Sequence, residues 1–390
     1  MSSSNRVKLV YIKEALYKKD PGGDLKEIAY ISESLNGAPD TVQSQRITTD
    51  RQPQGQIVVG LKASGQINFE LARSTDIDDF FEAGMYSTWS APLILAAKEL
   101  EINTGTKKII QAAGDFVADG LKKFDLISLG GFANEENNVI VQITSVSALE
   151  LGYAGPDTMV DEAVDADGDE TITRPSFLDI GLTKTHFHMA KVYEDLTNKS
   201  ILYPGAIVDG FSLNFAHGAL STVGFNFVSG HDYPDLPLTN GRTVIPVGSP
   251  QPLNGSADAG KVVVAGEVAP YSVKSVAINL SNNNSDRVNL GETAPSTYDE
   301  GAATIGISME AFLEDSNFDL LKNKSTQTPF SFFFFAKNSD GGYAVSLPAC
   351  QVSMDDPGVQ GGNQQLTMPL NGTAKPGVDG ESALRIYKLD

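Results

Sequence analysis

The sequence predicts a mainly β protein with two tandem β-sandwich or β-barrel domains, each carrying one short helix, and a small inserted β-barrel-like module. Three observations predict this class. The 37 glycines and 19 prolines divide the 390 residues into short segments, few of which show helical periodicity. Several segments alternate apolar and polar residues, as half-buried strands do. The same strand and helix patterns recur about 240 residues later, which indicates a duplication.

Composition and charge limit the class of protein. Hydrophobic residues make up 41% of the chain and charged residues 20%, which excludes a wholly disordered protein. Forty-nine acidic against 29 basic residues give a formal net charge of −20, which argues against a groove that grips nucleic acid through its phosphates. The N-terminus lacks the apolar stretch of a signal peptide. The most apolar run, FSFFFFA at 330–336, is too short to cross a membrane and predicts a buried strand.

The first copy of the repeat starts with a long strand and a helix. Residues 57–71 alternate in hydrophobicity and predict a half-buried strand. In residues 74–89 the apolar side chains Ile77, Phe80, Phe81 and Met85 have helical spacing, which predicts a helix. Ser74, Thr75 or Asp76 can cap its first turn.

The second copy repeats this order. Residues 67–70 match 307–310, and residues 79–81 of the helix match 319–321. Three further correspondences extend the repeat: 176–182 with 329–335, 203–208 with 343–348, and 218–230 with 361–373. We therefore expect a first domain over 28–235, after an N-terminal arm over 1–27, and a second domain over 236–390 that ends in a C-terminal arm.

An insertion interrupts the first domain. Residues 107–152 form short apolar segments separated by glycines and an Asn137-Asn138 turn, which predicts a small β module. Residues 153–172 follow as an acidic linker, which we expect to be solvated.

Motifs for catalysis and for metal binding are incomplete. GSADAGKV at 255–262 lacks the Ser or Thr that a phosphate-binding loop places after its Lys, and it leads into a strand. DADGDE at 165–170 lacks the Gly of a calcium loop at its sixth position. His186 and His188 share one face of a strand but have no third ligand nearby in the sequence, and Cys350 has no recognisable base. We expect no enzyme, no cofactor and no bound metal.

Several segments carry a family resemblance. The phrase SQRITTDRQ…GQIVVGLKASGQINFELARSTDIDDFFEAGMYSTW resembles the opening of the major tail tube proteins of phages with long, non-contractile tails. YPGAIVDGFSLNFAHGALSTVGFNFVSG is similar to the strands that follow in that family. In the second half, VKSVAINLSNN, ATIGISMEAFLED, FDLLKN, YAVSLP and GGNQQLTMPLNGTA resemble a second tube domain, so the resemblance extends from about residue 28 to 374.

The resemblance implies a structural virion protein, made in the host cytoplasm, whose rings stack into a tail tube through which double-stranded DNA leaves the capsid without tight binding. It implies that each subunit contributes a sheet to a continuous barrel. Two tube domains in one chain would let three subunits form a pseudo-sixfold ring, and a true hexamer stays open. The implied partners are further copies of the chain, the tail terminator, the baseplate or tip proteins and the tape measure protein.

Two groups of residues are candidates for these roles. Side chains that alternate with the core set on the matching strands are candidates for the lumen: Lys62, Asn68, Glu70, Ser308 and Glu310. The polar stretches before the two long strands are candidates for contacts between rings: Asp50, Arg51, Gln52, Pro53, Glu292, Thr293 and Pro295. An alternative function is a non-enzymatic β-sandwich module that binds carbohydrate or protein, although Trp89 is the single tryptophan available for an aromatic platform.

Overall fold

The computed structural model describes residues 4–46, 55–164, 168–197, 199–230, 233–234, 242–260, 262–264, 267–268, 272–318, 329–354, 357–358, 362 and 365–390. Its elements confirm the mainly β class. The elements up to the end of the inserted module are β1 (Val7–Glu14), β2 (Leu25–Ile28), β3 (Ser32–Glu33), β4 (Asn36–Gln43), β5 (Gln56–Glu70), α1 (Thr75–Met85), β6 (Leu93–Lys98), β7 (Leu100–Asn103), β8 (Lys108–Gln111), β9 (Leu126–Gly130), β10 (Ile140–Val146), β11 (Glu150–Ala154) and β12 (Glu170–Arg174).

The remaining elements complete both copies of the repeat. They are β13 (Ser176–Asp179), β14 (His186–Tyr193), β15 (Lys199–Ala216), β16 (Thr222–Ser229), β17 (Tyr233–Pro234), β18 (Val244–Ile245), β19 (Val263–Val264), β20 (Glu267–Val268), β21 (Val273–Ser281), β22 (Ser285–Arg287), β23 (Thr297–Asp299), β24 (Thr304–Phe312), α2 (Asp315–Phe318), β25 (Phe330–Asn338), β26 (Gly341–Met354), β27 (Thr367–Lys375) and β28 (Arg385–Leu389). Single 3-10 turns lie at Ser4–Arg6 and Glu135–Asn137.

The strand and helix predicted at the start of each copy are present. β5 and β24 confirm the two predicted strands, and α1 confirms the predicted helix. Ser74 precedes α1 with extended backbone angles, but its side chain makes no capping hydrogen bond to the helix. Asp76 and Asp78 lie in the first turn, where the helix dipole favours negative charge. In the second copy α2 begins at Asp315, while the matching residues 319–321 lie outside the described part of the chain.

Eight strands form one continuous antiparallel sheet, which we call the long sheet. Its order is β4, β5, β16, β15, β21, β24, β27 and β26. The first four strands belong to the first copy and the last four to the second copy. The copies are therefore joined side by side, because β15 pairs directly with β21.

A second layer covers one face of the long sheet. β15 is long enough to belong to both layers: residues 199–206 pair with β14, and residues 207–214 pair with β16. β26 repeats this arrangement, with residues 341–350 paired to β25 and residues 349–354 paired to β27. β14 and β25 therefore occupy equivalent places in the two copies.

Two predicted correspondences between the copies are wrong. The match of 218–230 with 361–373 is shifted by four positions, because the strand registers put Asn226 in the place of Thr373. Residues 176–182 were expected to match 329–335, but β13 pairs with β28 at the edge of the second copy's outer layer. The strand equivalent to β25 is β14, which follows later in the sequence. The segments 176–182 and 329–335 were matched because both are apolar. The strand pairings show instead which segments are equivalent.

The hydrophobic core is continuous across both copies. α1 lies between the layers. The ring centroid of Phe81 lies 5.2 Å from that of Phe225, 5.3 Å from that of Phe211 and 5.1 Å from that of Tyr343 of the second copy. β25 is buried on both faces, as the run of phenylalanines predicted. β1, which lies within the segment expected as an N-terminal arm, places Leu9 and Tyr11 in this core.

The inserted module is a separate seven-stranded antiparallel sheet with its own core. Its order is β6, β12, β9, β10, β11, β8 and β7, so it draws on residues 93–174 and extends on both sides of 107–152. β6 and β7 form the two ends of this sheet and are separated by Glu99 alone, which gives the module a barrel-like shape.

The acidic segment 153–172 is attached to this module where the structure describes it. Glu162 forms a backbone bridge with Ile102, and its carboxylate accepts hydrogen bonds from the backbone of Ala133 and the side chain of Asn137. The expectation that this whole segment is solvated is therefore wrong at Glu162, whose carboxylate satisfies donors of the 3-10 turn.

Candidate functional site

Polar side chains form continuous rows across one face of the long sheet. Residues that lie directly opposite each other in paired strands point to the same face, so the registers can be followed from strand to strand. The row that starts at Glu70 contains Glu70, Thr222, Asn214, Ala277, Ser308 and Asn371. The next row contains Asn68, Gly224, Ser212, Asn279, Gly306, Thr373 and Gln351. We call the face that carries these two rows the polar face.

The opposite face of the same strands is apolar and buried. Phe69, Phe225, Phe211, Ile278 and Ile307 alternate with the polar rows and belong to the main core. This alternation is the pattern of a sheet that packs on one side and meets water on the other. No layer formed by the described residues covers the polar face, and its two rows carry mainly small and amide side chains.

The predicted lumen residues of the two copies share this face. Asn68 and Glu70 lie on β5, and Ser308 lies in the same row as Glu70 although the two are 238 positions apart in the sequence, as their numbers show. Glu310 lies one step further along β24, opposite Ser275. Lys62 lies towards the other end of β5, where its ammonium is 3.6 Å from Asp40 and 3.8 Å from Asp286.

Charge on the polar face is sparse and partly compensated. Lys274 Nζ lies 3.1 Å from Glu310 Oε1 and 3.0 Å from Oε2, and its hydrogen bond holds the pKa of Glu310 below the usual value. Glu70 is exposed, and within the described residues no cation lies in ion-pair distance of it. The face offers an anionic polymer no cluster of cations in its two rows.

The sequence predicted residues of the polar face on two strands only, β5 of the first copy and β24 of the second. The contributions of β15, β16, β21 and β27 to the polar face were missed, among them Asn214, Asn279 and Asn371. A signal was available, because FSLNFA alternates Phe211, Leu213 and Phe215 with Ser212 and Asn214.

The hairpin formed by β4 and β5 extends beyond the core. Four of its apolar side chains are exposed, with fractions from 49% to 64%: Val42, Ile57, Val58 and Val59. The candidates Asp50, Arg51, Gln52 and Pro53 fall between these strands and lie outside the described residues. Several exposed apolar side chains close together on one hairpin indicate a surface that contacts another protein.

The equivalent connection of the second copy, between β22 and β23, lies against the first copy. Glu292 and Thr293 are exposed, but the carbonyl of Thr293 accepts a hydrogen bond of 2.6 Å from the backbone of Leu61. Pro295 is buried, and its carbonyl accepts hydrogen bonds from the side chains of Tyr17 and Lys18. The structure thus places Thr293 and Pro295 in contacts within the chain.

His188 and Cys350 are buried in the fold, and His186 is partly buried. His188 Nδ1 lies 3.0 Å from the buried carboxylate of Glu14. Burial raises the pKa of the Cys350 thiol to about 12, which removes its reactivity near neutral pH. In the described part of the chain no group of three or more His, Cys, Asp or Glu side chains is arranged to hold a metal ion.

Neither described helix has the length and the apolar character that a bilayer span requires.

Comparison with known proteins gives one match. The family model described as "Phage tail tube protein" matches residues 4–374, which is nearly the whole chain and includes both copies of the repeat and the inserted module. No curated protein matches the sequence.

Proposed function

The chain belongs to the phage tail tube protein family, whose members are structural, non-enzymatic components of the virion, and from that premise we propose that it polymerises into stacked rings whose channel conducts double-stranded DNA during ejection. The family membership implies self-assembly into a tube together with other tail components. The polar face of the long sheet is the observation that carries the proposal, since it is a broad sheet surface that none of the described elements covers.

The chemistry of the polar face fits a wall that DNA slides along. Duplex DNA carries one negative charge per about 1.7 Å of its axis, so a cationic wall would accumulate contacts along the whole tube and hold the DNA back. The two rows instead present mainly serine, threonine, asparagine and glycine, with Glu70 as their acid. Glu310, one step beyond the rows, is paired with Lys274. Such a wall is hydrated and weakly repels phosphate.

The strand count supports three chains per ring. Three chains with eight strands each give 24 strands, and at a spacing of about 4.8 Å these form a barrel about 37 Å across between backbones, before strand tilt is included. Six chains would give 48 strands and a barrel about 73 Å across on the same spacing. The narrower channel suits a conduit for a single duplex, so we favour a homotrimer with pseudo-sixfold symmetry over a hexamer.

The proposed ring also requires two tube domains in each chain. We assign the two tube domains to residues 28–235 and 236–390, with residues 1–27 adding β1 to the core of the first. We assign the tail to the long, non-contractile type, in which the tail terminator, the baseplate or tip proteins and the tape measure protein would be the further partners.

Electron microscopy of the purified protein tests this function. Negative-stain images over a series of increasing concentrations should show rings that stack into hollow tubes, with threefold symmetry in end-on class averages. A protein that stays a small closed oligomer at every concentration, and that remains so when ejected tails are added as seeds, would contradict polymerisation and favour a binding module instead.

A further inference from the structure

We propose that the ring closes by pairing β26 of one subunit with the edge formed by β3 and the start of β4 of the next subunit, in the register that β15 and β21 already use within the chain. Gln351 of one subunit would then lie opposite Asn36 of its neighbour. This inference rests on the proposed function, because it names the surface through which copies of the chain meet in a ring.

The contact between the two copies provides the template. β15 is the last strand of the first copy's half of the long sheet, and β21 is the first strand of the second copy's half. They pair antiparallel, with Gly210 opposite Ser281 and Ser212 opposite Asn279. In a ring built from repeated copies, the contact from second copy to next first copy is equivalent to this one.

The strands β5 and β24 of the two copies correspond residue by residue. Ile67 aligns with Ile307, and the helix that follows begins at Thr75 in one copy and at Asp315 in the other, which is the same displacement of 240 positions. Gln66 therefore corresponds to Gly306, and Ser64 to Thr304.

The registers then identify the residues equivalent to Gly210. Starting from Gln66, the partner on β16 is Asn226, and the partner of Asn226 on β15 is Gly210. Starting from Gly306, the partner on β27 is Thr373, and its partner on β26 is Gln351. Gln351 therefore occupies the place of Gly210.

The same procedure identifies the counterpart of Ser281. Ser281 lies opposite Thr304 on β24, and the residue opposite Ser64 on β5 is Asn36. Because Gly210 lies opposite Ser281 within the chain, Gln351 is expected opposite Asn36 of the next subunit.

Both edges are open where this pairing needs them. Among the described residues, β3 and β4 pair only with β5, and the part of β26 beyond Cys350 pairs only with β27. Asn36 and Gln351 are both exposed. An unpaired strand edge presents backbone groups that another chain can pair with.

Leu35 shows how the open edge is protected in the single chain. Its counterpart Leu280 pairs with Phe211 of β15. In Leu35 the backbone N–H donates instead to the Glu33 carboxylate at 2.9 Å, and the carbonyl accepts from Lys191 Nζ and from the Tyr203 hydroxyl, each at 3.2 Å. Side chains thus satisfy backbone groups that a neighbouring strand would satisfy in the ring.

The template and the proposed contact differ at Gly210. A Cβ atom there would lie 2.2 Å from the carbonyl oxygen of Leu280, and β15 shifts register next to this glycine. β26 has a side chain at the equivalent position and no register shift against β27. A cross-link whose yield depends on the register of the two strands therefore tests the proposed pairing.

Cysteine cross-linking tests the register. The variant Gln351→Cys with Asn36→Cys should form disulfides between neighbouring subunits on mild oxidation of assembled tubes, since a disulfide needs Cα atoms within about 7 Å. Non-reducing electrophoresis should show a ladder that ends at three chains. The control Gln351→Cys with Ser34→Cys moves one partner two residues along the same edge and should cross-link about tenfold less. Either substitution alone should give monomers, because Cys350 is buried.

The outcomes separate this inference from the proposed function. Tubes in the microscope without preferential cross-linking of positions 36 and 351 would overturn the register and leave the tube assignment intact. Absence of tubes from the unmodified protein, also when ejected tails are added as seeds, would overturn both. Hydrogen exchange on unmodified tubes gives a second test that needs no variant: amides of 33–36 and 351–354 should gain protection together on assembly, and unchanged exchange in both segments would overturn the pairing.

Discussion

Lys274 neutralises Glu310 on the polar face, with its ammonium 3.1 Å from one carboxylate oxygen and 3.0 Å from the other, while Glu70 at the matching position of the first copy has no such partner in the described structure. The two copies therefore present different charge at equivalent places on the proposed channel wall. The unpaired carboxylate carries the net negative charge in the first copy, and the second copy contributes a nearly neutral ion pair.

Charge reversal at these two positions is expected to slow DNA release. Glu70→Lys adds one cation per subunit, and Glu310→Lys adds one and also leaves Lys274 without its partner, so the second variant should slow release more than the first. The rate of DNA release from triggered virions that carry each variant measures this. Glu70→Gln and Glu310→Gln serve as controls that remove charge without reversing it. Unchanged release rates in both Lys variants would remove these residues from the channel wall.

The exposed apolar strip on the β4–β5 hairpin is expected to drive polymerisation. Ile57 is 64% exposed and Val59 49% exposed, so their replacement by serine should leave the free energy of unfolding of the monomer within about 0.5 kcal/mol of its original value. The concentration at which tubes pellet should rise about tenfold or more, because the variant loses apolar area that assembly buries. Val117→Ser, at a 57% exposed position of the inserted module, is the matched control and should polymerise normally. A normal pelleting concentration for the Ile57 and Val59 variants would exclude the strip from assembly.

Phe81 is expected to couple the two copies. It is fully buried, and its ring contacts Phe211 and Phe225 of the first copy and Tyr343 of the second, so Phe81→Ala should lower the free energy of unfolding by about 3 to 5 kcal/mol. Denaturant titration measures the loss. Phe116→Ala removes an equally buried ring from the core of the inserted module. This control should increase protease sensitivity only within residues 93–174. Proteolysis of both tube domains as well would show that the module does not unfold independently.

Asp79 gives the fold a dependence on pH. Burial raises its pKa, but hydrogen bonds from Lys13, Lys26 and Tyr11 outweigh the burial, and the net pKa lies below the usual value. A depressed pKa in the folded state contributes stability above the unfolded value of about 3.9, and this contribution is lost as the pH falls through the folded pKa.

The variant Asp79→Asn is therefore expected to be about 1 to 3 kcal/mol less stable than the unmodified protein at pH 7, and the difference should disappear in acid. Asp76→Asn is the control on the same helix turn. Burial raises the pKa of Asp76 above its usual value, so its charged form costs stability at neutral pH and the sign of the effect should be opposite. Equal pH profiles for the two variants would contradict this assignment. Denaturant titrations across the pH range supply the measurement.

Parts of the site were accessible from the sequence because they depend on local alternation. Asn68 and Glu70 alternate with Ile67 and Phe69 within a few residues, so their exposure on one face could be predicted. Which strands lie beside β5 could not, because Thr222 and Asn214 reach the same row through pairings with residues far away in the chain. The same limit explains Pro295, whose contacts with Tyr17 and Lys18 join segments nearly 280 positions apart.

The most direct test of the central claim is a cryo-electron microscopy reconstruction of the assembled tube. On the proposed function we expect rings of three chains whose long sheets join into a barrel of 24 strands, with the row of Glu70, Asn214 and Ser308 facing the channel. A reconstruction in which the polar face lies on the outside of the tube, or is buried between rings, would contradict the account.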